Sequence, residues 1–521
     1  MIGRLGVCVV LIGLAACTAP TRNTELAVLD EDAGYRFHTI NHGTRDDTLV
    51  VMTMSGGGTR AATLATGALH GLQAARFADR TSLAGEIDIL SSVSGGSVTA
   101  AYFARHGYAD LARLEQDFLR QDVIGDLFTA GLNPVNLARL PTPSYARIDW
   151  LIAAFRKRLF SADVRYRALL DNPANRPYLI LNAGDVTAET PFPFTQDRFD
   201  LICSDLLEME LAQAVAASAA FPGALTALTL TNYAPCAAQD EAWPDHPPLR
   251  IINPLSTSAY DNPQARRRAA REWGYLNRAY PDDHLDDTGE IDNSRPPRRK
   301  DWQRALPERE RRQYIHLLDG GIADNLGLSE PLYLVSASNG QALMRGRDGA
   351  LKNLVQAICE RDIRTILFVV VNARADKQSD LDRSATPPGI IGSIVGTTSS
   401  AIDGTTYGLI DRLDTVTKEL VRLNRRCDSQ ALADLVVLSV PVDFDFIDDA
   451  ACRARFQNMA TSWALSDGEI DALLAAGSAM VARGLRAAPR DGSRPSAAAH
   501  LELEVPPGPS LAGACQTAFA D

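Results

Sequence analysis

Two strand-to-helix junctions built almost wholly from small residues constrain this chain more than any other feature. In the second of them an apolar segment, Ile87 to Leu90, reads as a buried strand. The chain then turns through Ser91-Ser92-Val93-Ser94-Gly95-Gly96-Ser97 and enters an alanine-rich helix, Val98 to Arg105. Strand, tight turn and helix with a serine at the apex is the layout of a nucleophile elbow. Such a turn lifts the hydroxyl clear of the backbone, beside a helix N-terminus whose partial positive charge can stabilise an oxyanion. The usual spacing is G-x-S-x-G, and here Ser92 stands at the first glycine position. Serines flanked by glycines also occur in plain turns, so this segment needs support from elsewhere.

The first junction supplies it. Thr48-Leu49-Val50-Val51-Met52-Thr53-Met54 reads as another buried strand, followed by Ser55-Gly56-Gly57-Gly58-Thr59-Arg60 and a helix from Ala61 to Gln73. Three contiguous glycines at a helix N-terminus expose backbone N–H groups that can cradle an anion, including a carbonyl oxygen becoming negative. A phosphate-binding loop would need Lys-Ser or Lys-Thr after the glycines, and a dinucleotide fingerprint would need G-x-G-x-x-G; neither is present. A third segment, Tyr314 to Asp319, reads as a short strand that delivers Asp319 into Gly320-Gly321, ahead of Asp324-Asn325. Glycines there permit close approach of another segment, although an Asp-Gly pair more often only makes a turn.

In this order the three segments resemble the patatin-like phospholipase family. Its pattern is a Gly-Gly-Gly-x-Arg loop, a Gly-x-Ser-x-Gly elbow and a downstream Asp-Gly-Gly or Asp-Gly-Ala. Ala217-Ser218-Ala219-Ala220-Phe221-Pro222-Gly223 also resembles the family's Ala-Ser-x-Ala-Phe-Pro stretch. The resemblance implies an α/β fold: a patatin-like three-layer sandwich, with a largely parallel central sheet, helices on both faces and a nucleophile elbow. It implies a Ser–Asp dyad without a catalytic histidine. Carried over by position, Ser94 is the nucleophile and Asp319 its base. Gly56, Gly57 and Gly58 form the oxyanion hole, and Arg60, Gly95, Gly96, Gly320 and Gly321 support them. The expected activity is a lipid acyl hydrolase of phospholipase, lysophospholipase or esterase type. Ser92, and Ala61 where a glycine often follows the loop arginine, depart from the family pattern by small-for-small changes.

The dyad can also be weighed on the residues. A serine hydroxyl needs a base. His316 lies three residues before Asp319, and strand alternation puts the two on opposite faces. His70 falls on the helix after the glycine loop and His106 ends the elbow helix. No histidine sits in an obvious late turn where an α/β-hydrolase triad would place one. A Ser-His-Asp peptidase and a catalytically silent scaffold or binding lipoprotein stand as the alternatives. No cofactor is expected, since the sequence has no calcium loop or histidine-rich metal motif.

The chain has 521 residues, 46% hydrophobic and 22% charged, and can bury a large core. Its net charge of −12 and lack of a basic block argue against nucleic acid. Arg4, the apolar stretch Leu5 to Ala16 and then Cys17 form a secretory layout too short to span a bilayer. Leu14-Ala15-Ala16-Cys17 resembles a bacterial lipoprotein lipobox, which implies acylation at Cys17 and a place in the bacterial cell envelope. Thr18, rather than Asp, resembles outer-membrane sorting, facing periplasm or surface. The expected organisation is a signal peptide over 1–16, a lipidated N-terminus and tether over 17–46, an acyl hydrolase domain over 47–487, and an irregular tail over 488–521. Residues 238–312, rich in Asp, Arg and Pro, read as a polar insertion. Residues Ile402 to Leu423 carry apolar positions at helical spacing, and Trp463 to Gly484 reads as helix. Export favours disulfides among Cys203, Cys236, Cys359, Cys427, Cys452 and Cys515, with Cys203–Cys236 the first choice.

Overall fold

The computed structural model of the chain describes residues 22–40, 47–142, 145–171, 177–245, 271–279, 302–334, 349–375, 435–488 and 495–517, with a few single residues between them. Its centre is an eight-stranded sheet. The strands are β1 (Thr48–Met54), β2 (Ile89–Val93), β3 (Tyr178–Asp185), β4 (Thr190–Pro193), β5 (Leu228–Thr231), β6 (Tyr314–Asp319), β7 (Thr365–Asn372) and β8 (Val436–Asp443). Their spatial order is β8-β7-β1-β2-β3-β6-β5, and β4 folds back on β3.

The five strands β8, β7, β1, β2 and β3 run parallel. Every residue of β1 and β7 is buried, and both read as unbroken apolar, β-branched runs. That pattern belongs to parallel strands covered on both faces, where no side of the pleat meets water. β6 and β5 close the other side in antiparallel fashion. β6 alternates instead, with His316 exposed and Ile315, Leu317 and Asp319 buried.

Helices pack around this sheet. They include α1 (Gly58–Ala74), α2 (Gly95–His106), α3 (Val123–Leu132), α4 (Pro134–Arg139), α5 (Ile148–Arg158), α6 (Leu211–Ser218) and α7 (Asp467–Arg486). α1 is buried nearly all round, as a helix held between a sheet and a second helix must be. Its partner is α7, and the two cross at van der Waals range of their backbones. A Cβ at Gly67 would lie 2.3 Å from the Leu474 carbonyl, and one at Gly477 would lie 2.4 Å from that of Leu64. α7 starts at Asp467 because Ser466 and Glu469 form a reciprocal capping box. The expected helix from Trp463 therefore begins four residues later.

Three expectations about organisation change. The lead-in before residue 47 is not a free tether: Tyr35 and Phe37 are buried, and Thr24–Glu25 pairs with Ser204–Asp205. Arg36 enters the interior bound to the carboxylates of Asp197 and Asp200. The tail after 487 is not wholly irregular, since it forms helices at Ala497–His500 and Leu511–Thr517 and is tied down by Cys452–Cys515. The described ends of the 238–312 insertion are packed rather than solvated. Trp273, Tyr275 and Trp302 are fully buried there, and Tyr275 donates to Asp185 at the end of β3. Polar composition misled here because the aromatic residues inside the stretch, few but large, do the packing. Cys203–Cys236 is present as expected, and Cys359 is also disulfide-bonded. The helix read from Ile402 to Leu423 falls mostly outside the described residues, as do Cys17, Cys427 and the 1–16 segment.

Candidate active site

Ser94 is the single residue between β2 and α2, with φ 50° and ψ −120°. A non-glycine residue in that region is strained and persists only where its surroundings enforce it. The enforcement is visible. A Cβ at Gly95 would lie 2.0 Å from the Gly58 carbonyl oxygen, and one at Gly96 would lie 2.6 Å from the carbonyls of Met54 and Ser55. Only glycines let α2 start this close to the loop after β1. The Ser94 N–H donates to Ser218 Oγ at 3.0 Å. Ser218 in turn donates to the Asn182 carbonyl at 2.6 Å and shares a 2.9 Å hydrogen bond with Ser97 Oγ.

Strand register brings the aspartate to the serine. Parallel pairing sets Val93 opposite Asn182, and antiparallel pairing sets Asp319 opposite Ala183. Ser94 and Asp319 thus stand at one level on either side of β3. Ser94 Oγ donates to Asp319 Oδ2 at 2.7 Å. The other carboxylate oxygen accepts the Gly321 N–H at 2.8 Å. Gly320 permits the turn, since a Cβ there would lie 2.2 Å from the Asn182 carbonyl. Burial pushes the Asp319 carboxyl up to about 6, against the lowering effect of the two hydrogen bonds from Ser94 and Gly321. A carboxylate of that basicity can take a proton at neutral pH far better than an ordinary aspartate.

The glycine loop divides its labour. The Gly56 N–H is already committed to the Asn325 carbonyl at 3.1 Å, so it is not available as an anion donor. The expected three-glycine hole reduces to two. Gly57 (φ 140°) and Gly58 (φ 61°) adopt conformations that favour glycine, and their N–H groups have no acceptor among the described residues. Gly58 opens α1, so the helix dipole adds to its donor strength. Thr59 N–H donates to the Ser462 carbonyl at 2.8 Å, which pins the loop from outside.

Arg60 supports rather than faces this loop. Its guanidinium is buried and donates to the carbonyls of Ala373 at 3.0 Å and Met459 at 2.6 Å. Burial lowers its pKa to about 10. It ties the N-terminus of α1 to the segments that follow β7 and precede α7.

Among the described residues the Ser94 and Asp319 side chains bond each other and the Gly321 N–H, and no histidine joins them; His38 sits in the Phe37–Thr39 turn of the lead-in. His70 bonds Tyr108 and Glu115, His316 bonds Thr229, and His500 bonds Thr365. His106 stacks on Phe160. His42, His246 and His284 lie outside the described residues. Among the described residues no cluster of His, Cys, Asp and Glu is arranged to hold a metal ion.

Two positions escaped the reading of sequence roles. Ser218 holds the elbow's N–H, and Asn325 occupies Gly56, with its side-chain oxygen 2.6 Å from where a Gly56 Cβ would stand. Both lie in segments whose resemblance was noted, Ala217 to Gly223 and Asp324-Asn325, but a short motif does not state which distant group its polar atoms meet.

Comparison with known proteins bears on the family. No curated protein sequence matches the chain. A solved structure of human GIVD cytosolic phospholipase A2 is similar over 65% of this chain, at 14% identity and a TM-score of 0.30. The match spans 45% of that protein, and a likeness at this level says nothing of substrate. The patatin-like phospholipase family model matches residues 52–332, more than half of the chain and a span that includes Gly56–Gly58, Ser94, Ser218 and Asp319. The chain belongs to the patatin-like phospholipase family.

Proposed function

We propose that this protein is a lipid acyl hydrolase that works through an acyl-Ser94 intermediate with Asp319 as the only general base. The observation that carries the reading is the 2.7 Å hydrogen bond between Ser94 Oγ and Asp319 Oδ2 at a strained elbow beside two unpartnered backbone donors. Ser94 Oγ attacks the ester carbonyl carbon while its proton passes to Asp319 Oδ2. The carbonyl oxygen takes the electron pair and is held by the N–H groups of Gly57 and Gly58. Collapse of the tetrahedral species breaks the bond to the alkoxy oxygen, which leaves as the alcohol with the proton from Asp319. Water then repeats the sequence on the acyl-enzyme and frees the carboxylic acid. Every group required comes from this chain's own residues, with no step routed through a histidine.

The same proposal places the protein at the bacterial envelope, held by acyl chains on Cys17. Among the described residues no helix is long and apolar enough to cross a membrane.

Fluorophosphonate labelling with peptide mapping tests the chemistry. Modification is expected at Ser94, and Ser94→Ala abolishes both labelling and ester turnover while circular dichroism stays unchanged. A folded Ser94→Ala protein that keeps its turnover refutes the nucleophile. A wild-type protein that neither labels nor turns over esters favours the silent scaffold.

A further inference from the structure

Four large apolar side chains crowd onto ten residues of surface. Phe128 is 70% exposed, Leu132 78%, Val135 64% and Leu137 48%. They belong to α3 and α4, two short helices joined at Asn133, whose side chain accepts from the Val135 N–H. Phe128 and Leu132 are one helical turn apart and so stand on the same face of α3. A soluble protein rarely concentrates exposed apolar residues in this way without a partner for them.

The hairpin is mounted rigidly and beside the active site. Val123 N–H donates to the Trp463 carbonyl at 3.2 Å, next to Ser462, which receives Thr59 from the oxyanion loop at 2.8 Å. Gly131 lies against the Trp150 ring of α5, where a Cβ would come within 3.3 Å. Just before α5, Arg147 donates to the Gly223 carbonyl at 3.0 Å, and Ile148 N–H donates to Thr226. That segment follows Ser218, which holds the Ser94 elbow. The exposed apolar tip and the nucleophile therefore share one framework.

Charge around the tip is also sorted. Asp126 is neutralised by Arg158 and Lys157. The guanidinium of Arg139 lies 4.1 Å over the Tyr145 ring and that of Arg147 meets a carbonyl, so among the described residues neither has a carboxylate partner. An apolar tip flanked by uncompensated arginines stands out in a chain of net charge −12. Apolar side chains with basic neighbours are what insertion among lipid headgroups and acyl chains requires. The start of the described chain points the same way. Arg22 is bound to Asp149, on the first turn of α5, at 2.8 Å. Cys17 lies five residues earlier, and so few residues reach at most about 18 Å. The acyl chains proposed at Cys17 would be tethered within that reach of Asp149.

We infer that the α3–α4 hairpin is an interfacial docking surface, and that its occupant is a lipid bilayer into which Phe128, Leu132, Val135 and Leu137 dip. The inference rests on the proposed lipid hydrolase activity only for its purpose; bilayer contact itself is readable without turnover.

The test uses the full chain with vesicles of phosphatidylethanolamine and phosphatidylglycerol, part of it brominated on the acyl chains. Phe128→Trp and Leu132→Trp each add a fluorophore at the tip. Glu504→Trp adds one beyond the far end of α1, where Glu504 is 79% exposed and pairs with Arg76 through the backbone. Quenching above the wild-type background is expected for the first two variants and not for the third. The Phe128→Asp, Leu132→Asp double variant is expected to hydrolyse vesicle lipid at least about tenfold more slowly, with turnover of a dissolved short-chain ester unchanged. Equal quenching at all three positions, or full vesicle turnover by the double variant, overturns the inference. So does a dimer in vesicle-free solution that the double variant dissociates, because a second copy then covers the hairpin. Absence of ester turnover in every form, with tip-specific quenching, removes the hydrolase reading and leaves the docking surface standing.

Discussion

Asp319→Asn should inactivate the protein and make it more stable at neutral pH. Folding moves the Asp319 carboxyl from an ordinary 3.8 up to about 6, chiefly by burial. Between those two values the folded chain holds a proton that the unfolded chain has released. Stability therefore falls as pH rises through this window and levels off above it. Keeping the carboxylate ionised costs roughly 3 kcal/mol above the window, by the conversion of pKa difference to free energy. Asparagine is neutral at every pH and carries no such cost. Its oxygen can still accept from Gly321 N–H, and its amide can donate to Ser94 Oγ, so both contacts survive in a weaker, uncharged form. The cost of roughly 3 kcal/mol is already net of the charged hydrogen bonds from Ser94 and Gly321, which hold the carboxyl lower than burial alone would. The variant should gain about 3 kcal/mol over wild type at pH 7.5 but only about 1 kcal/mol at pH 4.5, where folded Asp319 is protonated and only the unfolded carboxyl is mostly ionised. Equilibrium urea unfolding of both proteins at the two pH values, with disulfides intact, reads the double difference. Parallel pH dependence of the two midpoints would refute the strained, desolvated carboxylate. In the same preparations ester turnover by wild type should fall about tenfold per pH unit below 6 as the base is protonated, while the variant stays inactive throughout.

Other perturbations test the framework. Gly95→Ala puts a Cβ 2.0 Å from the Gly58 carbonyl and must separate the elbow from the oxyanion loop; kcat should drop about a hundredfold in a folded protein, and near-normal kcat would show that the loop does not need this approach. Removing the Cys203–Cys236 bridge, which spans 33 residues, should cost about 3–4 kcal/mol on the chain-entropy account, measured by denaturant unfolding of the double serine variant. Mass spectrometry of protein extracted from bacterial membranes should find an N-terminal peptide starting at acylated Cys17; an unmodified peptide starting elsewhere refutes the anchor.

The candidate site was legible in local sequence because it depends on backbone geometry that few residues tolerate. A strand leading into Ser94-Gly95-Gly96, or into Gly56-Gly57-Gly58, is conspicuous because side chains are absent where two backbones touch. Period-two alternation likewise separated His316 from Asp319 correctly. The lead-in and the described ends of the 238–312 stretch pack more closely than their polar composition suggests. Their few aromatic residues, Tyr35, Phe37, Trp273, Tyr275 and Trp302, carry burial that average composition conceals.

Tertiary structure alone decided how those local pieces divide the work. Ser94 and Asp319 lie 225 positions apart, and nothing in either motif states that β3 sets them level. Gly56, Gly57 and Gly58 look equivalent in sequence, yet only the position of the Asn325 carbonyl takes up the N–H of the first and leaves the other two without an acceptor among the described residues. The outward face of Phe128 and Leu132 likewise follows only from the packing of α3 on Trp150. Steric tolerance is a property of a residue and its neighbours in the chain, so the sequence determined where the backbone could turn. Partnership of a hydrogen bond, a level across a sheet and exposure of a face depend on groups distant in the chain, so only the fold could assign them.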